Sequence, residues 1–460
     1  MLCTRHSPRG ELASSRCACA RGIALDLLRL PQPRHRLAEH RSHTGAAIAV
    51  FLLFVLVAQP AIAAAERLPG ENVASIRSWL YTHNPQLRAL QAEADAAESR
   101  IFPAGALPDP MGSIELDDID RNSPSLLPGN VGVTTYRVRQ LFPLWGKREL
   151  SRDVARNAAQ AARFERDAAA LEILAQAEEA YVRYWHAREA ITVIDRLIAL
   201  LEQVEEIAGM RYAVGLAAQQ DSIRAQVERT TMQGERIERL AIRREATATL
   251  NAVLGRRADA PLAEPTAPPQ LVVDDGALAD ALQRLERGVH PALQASMAMA
   301  AAASRNVDLE RRNRYPDLTV SLGAMQRGDR LDGYELMLEV DIPLQQHTRR
   351  ERERESRLLE DAALARTEAA RVELEGRVGS AWARWTSALE QRALIEQTLL
   401  PQSDANFKSA LASYQVGEVD FATLLEALRG WQGADLARVD ATRDELLGAA
   451  AVRAINGDTQ

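Results

Sequence analysis

Aromatic residues make up only 5% of this 460-residue chain, and its three cysteines (Cys3, Cys17, Cys19) all lie before residue 20. Beyond that point neither a disulfide framework nor a thiolate metal site can be built. So few rings suit an alanine-rich helical rod better than a compact enzyme core. A basic excess is missing too: the net charge is −7, which argues against a nucleic-acid partner, because a surface that tracks phosphates needs surplus cations. Lysine is confined to Lys147 and Lys408. There is no glycine-rich phosphate loop, no Gly-x-Ser-x-Gly elbow and no clustered His and carboxylate motif, so an enzyme is not expected. His83, His186, His290 and His347 are scattered without ligand spacing, and neither a metal site nor a cofactor is predicted.

What is present begins with an apolar run from Ala46 to Ala58, preceded by basic residues and followed by the small-x-small site Ala61-Ile62-Ala63. Its length suits the core of a secretory signal and is short for a membrane span. Residues 1–65 read as a signal region cut near Ala63 or Ala65; a retained anchor is the rival reading. The basic stretch ahead of the run exceeds forty residues, as a start site placed too far upstream would produce. Residues 1–65 carry +5, so the exported remainder carries −12 and no cysteine.

That remainder is one unit written twice. Asn84-Pro85-Gln86-Leu87 is matched by His290-Pro291-Ala292-Leu293, and Leu141-Phe142-Pro143-Leu144 by Asp341-Ile342-Pro343-Leu344. Tyr212-Ala213-Val214-Gly215 is matched by Tyr414-Gln415-Val416-Gly417. Three markers in one order at nearly constant offset predict repeats at 66–260 and 277–460, joined by a proline-rich linker at 261–276.

Each repeat predicts a moderate helix (71–101; 278–312), two alternating segments, a very long helix (148–211; 346–413) and a shorter closing helix (217–254; 419–455). Thr348 with Glu351 suggests a capping box for the second long helix. The first long helix would run about 96 Å, close to the sum of its two shorter neighbours, so those should stack end to end beside it. Ala177, Ala180, Tyr184, Ala187, Ile191, Ile194, Ile198 and Leu201 recur at spacings of three and four, a heptad seam whose alanines permit close approach.

The alternating segments set Tyr334, Leu336, Leu338, Val340 and Ile342 against Glu335, Met337, Glu339 and Asp341. Leu318, Val320 and Leu322 oppose Thr319, Ser321 and Gly323; Tyr136 and Val138 oppose Arg137 and Arg139; Ile114 and Leu116 oppose Ser113 and Glu115. These runs approach the nine to eleven residues of tilted membrane strands, with Phe142 and Trp145 where an interfacial belt would want them. Hairpins half-buried on soluble helices are the alternative. Open sheet edges are not tolerated in lipid and four strands cannot close, so membrane strands would require several chains to share one barrel.

With these features in place, the chain resembles the TolC-type outer-membrane efflux proteins over essentially its whole exported length. The fold implied is mainly α with a small β part: long α-helical hairpins forming an α-barrel, and four transmembrane β-strands per protomer in a trimeric twelve-stranded β-barrel. The resemblance implies a homotrimer in the bacterial outer membrane, its helical tunnel in the periplasm. It also implies a periplasmic adaptor and an inner-membrane resistance-nodulation-division pump as partners. The two Tyr-x-Val-Gly turns imply an adaptor-docking tip at Tyr212, Val214, Gly215, Leu216, Val416 and Gly417. Tyr414 and Asp221 match the pair that holds the family's entrance closed, and Thr423 and Glu426 match its acidic ring, of which one position is acidic here. An arginine that helps lock some members aligns with Val419. Ala106-Leu107-Pro108-Asp109-Pro110-Met111 is most similar to members serving heavy-metal cation efflux. A drug or type I protein secretion duct, and a soluble periplasmic helical scaffold, are the alternatives.

Overall fold

The computed structural model describes residues 68–456, other than 123 and 275; the signal region read at 1–65 lies outside the described residues. The first half runs α1 (Val73–His83), α2 (Pro85–Ser99), the one-turn α3 (Ile101–Ala104), β1 (Met111–Asp117), β2 (Val133–Phe142), α4 (Lys147–Ala213) and α5 (Gln219–Val253). The second runs α6 (Ala277–Glu286), α7 (Pro291–Arg312), β3 (Leu318–Arg327), β4 (Arg330–Val340), α8 (Gln346–Leu394), α9 (Leu400–Val416) and α10 (Phe421–Asn456). A π turn at Ile395–Leu399 joins α8 to α9. Pro401 has no N–H for the ladder, and the wider turn before it lets the helix continue past the proline ring.

The opening helix predicted for each repeat is two helices. Pro85 and Pro291 stand at the first position of α2 and α7, so the preceding residue is driven out of helical geometry. Asn84 (φ −65°, ψ 121°) and His290 (φ −65°, ψ 131°) are extended, and both cap the helix that follows. Asn84 Oδ1 accepts from the N–H groups of Gln86 at 2.8 Å and Leu87 at 3.0 Å. Its amide Nδ2 donates at 2.7 Å to the carbonyl of Val253, the last residue of α5. One buried asparagine therefore caps the end of α5 and the start of α2 together. Gly255 (φ +71°) permits this meeting, because a Cβ there would lie 2.4 Å from Pro85 Cδ.

This is the end-to-end stacking expected, with α2 and α5 both packed along α4. The heptad seam of α4 is buried at every predicted position except Ile198, which is half-buried. The capping box expected at Thr348 does not form. Helix α8 starts at Gln346, whose N–H donates to the Leu344 carbonyl at 2.8 Å and whose side chain donates to the Pro343 carbonyl at 2.6 Å, so Thr348 already lies inside the first turn.

The four strands form one antiparallel sheet in the order β1-β2-β3-β4, and the β2–β3 pair joins the two halves. Lys147 fastens the junction below: its ammonium lies 2.8 Å from both the Asp317 carboxylate and the Tyr315 carbonyl, while Trp145 Nε1 donates to the Pro316 carbonyl at 2.7 Å.

Candidate functional site: a two-faced sheet and two joined helix tips

Strand alternation and register sort the sheet into two chemically opposite faces. On one face the rows Ile114–Tyr136–Ala324–Tyr334 and Gly112–Val138–Leu322–Leu336 lie side by side, followed by Gln140–Val320–Leu338 and Phe142–Leu318–Val340. The face is open on β4, where Tyr334 is 80% exposed and Leu336 66%. The other face is charged. Arg137 reaches Glu115 at 3.0 Å on β1 and, across Gly323, Glu335 at 3.0 Å on β4; Arg139 lies 3.8 Å from Glu339. Strands β1 and β4 each have a single neighbour, so both outer edges keep unpaired backbone groups.

At the other end of the helices the two Tyr-x-Val-Gly segments make the same turn. Gly215 (φ +76°) and Gly417 (φ +87°) adopt the left-handed conformation. In the first turn the Gly215 N–H donates to the Tyr212 carbonyl at 2.9 Å and the Leu216 N–H to the Arg211 carbonyl at 2.8 Å. In the second the Gly417 N–H donates to Tyr414 at 3.1 Å and the Glu418 N–H to Ser413 at 2.9 Å. These paired bonds satisfy the last carbonyls of α4 and α9 and reverse the chain into α5 and α10. The predicted tip residues Tyr212, Val214, Leu216 and Val416 are all exposed and cluster apolar surface around the two glycines.

Of the predicted gate residues, Tyr414 and Asp221 are brought together: the Tyr414 hydroxyl donates to Asp221 Oδ2 at 3.4 Å. The Tyr414 ring is buried, edge-on to Phe421, in a core shared by α4, α5, α9 and α10. Burial, and then the Asp221 carboxylate, push its hydroxyl up to about 12, against a smaller opposing pull from Arg211. Thr423 and Glu426 do not join this pair. Thr423 is held by Asp420, which accepts from its N–H at 2.9 Å and its hydroxyl at 2.7 Å and so caps α10. Those bonds, with Arg224 nearby, hold the Asp420 carboxyl below its usual range. Glu426 stands exposed one turn further on. Val419 packs against the apolar core.

Sequence reasoning missed Arg211. From the last turn of α4 it donates to the carbonyls of Tyr414 and, at 2.8 Å, Gln415, both on the opposite tip, and at 3.2 Å to Leu216 on its own. Its guanidinium also lies 4.8 Å from the Tyr414 ring centroid. The available signal was position alone: a cation one residue ahead of the first Tyr-x-Val-Gly, where helix carbonyls run out. Among the described residues no three His, Cys, Asp or Glu side chains gather as a metal site, and no helix is long and apolar enough to cross a membrane.

The model of the outer membrane efflux protein family matches residues 282–458, which contain α7 to α10, β3 and β4. Over those residues the chain is similar to that family. It is similar to the cobalt-zinc-cadmium resistance protein CzcC of Cupriavidus metallidurans, at 25% identity over 75% of this chain and 80% of the relative. Among solved structures, the fold is similar to the outer-membrane channel OprN, with a TM-score of 0.72 at 17% identity over 84% of this chain and 89% of the other. It is likewise similar to the outer membrane protein VceC of Vibrio cholerae, with a TM-score of 0.71 at 19% identity over 84% and 97%.

Proposed function

We propose that this chain is an outer membrane efflux protein, one third of an export duct. Three copies close a twelve-stranded β-barrel in the outer membrane, continuous with a helical tunnel through the periplasm. The observation that carries this reading is the sheet: an uncovered apolar face, a salt-bridged polar face and two open edges. Lipid covers such an apolar face, water fills a lumen lined by the other, and only neighbouring strands can satisfy the edges. The repeats at 66–260 and 277–460, with the linker at 261–276, each supply one strand hairpin and one tip. Tyr414 and Asp221 are the gate contact within each protomer, and Glu426 lines the entrance. Thr423 serves α10 through its cap with Asp420. Tyr212, Val214, Gly215, Leu216, Val416 and Gly417 offer the apolar tip to a periplasmic adaptor, behind which a resistance-nodulation-division pump in the inner membrane supplies the cargo.

The resistance named for CzcC favours heavy-metal cations as that cargo. A duct need not hold what it passes, and an acidic exported chain attracts cations by its overall field. Membrane fractionation tests the duct: a heat-modifiable trimer in the outer membrane, conducting in planar bilayers, is expected, and a soluble monomer refutes it. Deletion strains challenged with cobalt, zinc, cadmium and dyes test the cargo. Sensitivity to dyes alone would transfer the duct to drug export.

A further inference from the structure

We infer that Arg211 is the positioning residue of the gate, a clasp by which the first tip holds the second. The inference rests on the channel reading above and adds to it a residue and a direction of control. The Arg211 guanidinium donates across to the Tyr414 and Gln415 carbonyls and back to the Leu216 carbonyl of its own turn, so one side chain spans both reversals. Its acceptors are backbone oxygens at the negative end of α9, which bind a planar cation through several bonds at once. Gly417 leaves the space: a Cβ there would meet Arg211 Nη2 at 3.2 Å.

The first hairpin therefore grips Tyr414 twice. Asp221, at the start of α5, takes the phenol at 3.4 Å, while Arg211, at the end of α4, takes the main chain and covers the ring. The phenol bond is long for O–H···O, so the backbone clasp is the stronger restraint. Arg211 Nε is buried and has no partner among the described residues, so the clasp leaves one donor unsatisfied and is not the tightest arrangement available to it. An adaptor that reaches the exposed Val214, Leu216 and Val416 beside it can shift these carbonyls and release both hairpins together.

The test uses purified full-length protein in planar bilayers. Arg211→Ala is expected to raise the open fraction of the channel by about tenfold, the scale of losing charge-assisted bonds, with thermal stability of the trimer unchanged. Tyr414→Phe should raise it less. Arg211→Ala and Asp221→Asn together should exceed wild type by less than the product of their separate effects, because both act on Tyr414. Arg211→Lys, which keeps the charge but not the fork, should fall between wild type and alanine. If the alanine variant does not assemble, the lysine variant decides: an open fraction above wild type supports the clasp, and one equal to it overturns the clasp. A wild-type trimer that conducts, opens with Tyr414→Phe and ignores Arg211→Ala also overturns it. A wild-type protein that forms no channel refutes the underlying duct instead.

Discussion

Replacing Leu336 with arginine places a cation in the middle row of the sheet's apolar face. Leu336 pairs with Leu322, itself beside Val138, and the band continues for one apolar row on one side of them and two on the other. All three side chains are more than half exposed, so no packing inside the protomer conceals the new charge. Arginine on the lipid face of a barrel costs about 2–4 kcal/mol at the bilayer midplane, and less towards the interfaces. Three copies in one barrel bring the penalty to about 6–12 kcal/mol, several powers of ten in assembly at about 1.4 kcal/mol each. The control is the next residue. Met337→Arg faces the lumen side, where Glu335 and Glu339 flank it on the same strand face, and it should cost little. Outer-membrane yield and the temperature at which the trimer band dissociates measure both variants. Loss with Leu336→Arg and retention with Met337→Arg are expected; equal tolerance, or equal loss, would refute the assignment of faces.

Tyr414→Phe removes only the bond to Asp221 and should favour opening by about 0.5–1.5 kcal/mol, read as single-channel conductance. Because the Tyr414 hydroxyl is pushed up to about 12, channel opening should not follow phenol ionisation between pH 7 and 10, which a conductance–pH series checks. Asn84→Ala removes the caps of two helices at once and should destabilise the fold by about 2–3 kcal/mol in thermal unfolding. Burial, and then Arg377, lower the pKa of His290 from 6.5, so the unfolded chain binds that proton more readily than the folded one. Its stabilising contribution is intact above pH 6.5 and declines as pH falls through 6.5 towards the depressed folded value. His290→Asn keeps a helix cap without the titration, and should narrow the difference in melting temperature between pH 7.5 and pH 5.

The long helices and strands were legible because their periods are strong. The α4 seam is buried and Tyr334 to Val340 alternate as read, since three- and four-residue steps and two-residue steps place side chains on fixed sides whatever the partner. The matched breaks and turns were legible for a different reason: Asn-Pro, His-Pro and the two Gly turns encode backbone geometry, and geometry tolerates few substitutes. The same markers were misjudged locally. Helical patterning runs through Asn84-Pro85, although proline at a first helical position announces a break, and the partner of its cap, the Val253 carbonyl, comes from 169 positions away. Thr348 met the spacing of a capping box, but contacts to Pro343 and Leu344 had already begun the helix. Arg211 was illegible because its acceptors are carbonyls, and a carbonyl leaves no mark in a sequence.

The two tips share one turn but not one role. Both end in glycine with the same pair of backbone bonds, yet the first contributes Arg211 and Asp221 on either side of its reversal, and the second contributes Tyr414 between them. Turns that differ in this way can hold each other, because one presents donors and acceptors where the other presents a ring and a helix end. The corresponding positions confirm the division. The counterpart of Arg211 is Ser413, and its side chain turns to Glu418 within its own tip. The counterpart of Tyr414 is Tyr212, which stays exposed. A bond between the tips restrains both hairpins equally, so breaking it at Arg211 or at Tyr414 frees each to move against the other. Because these contacts lie at the tips, the proposed entrance can open without dismantling the bundle that carries it.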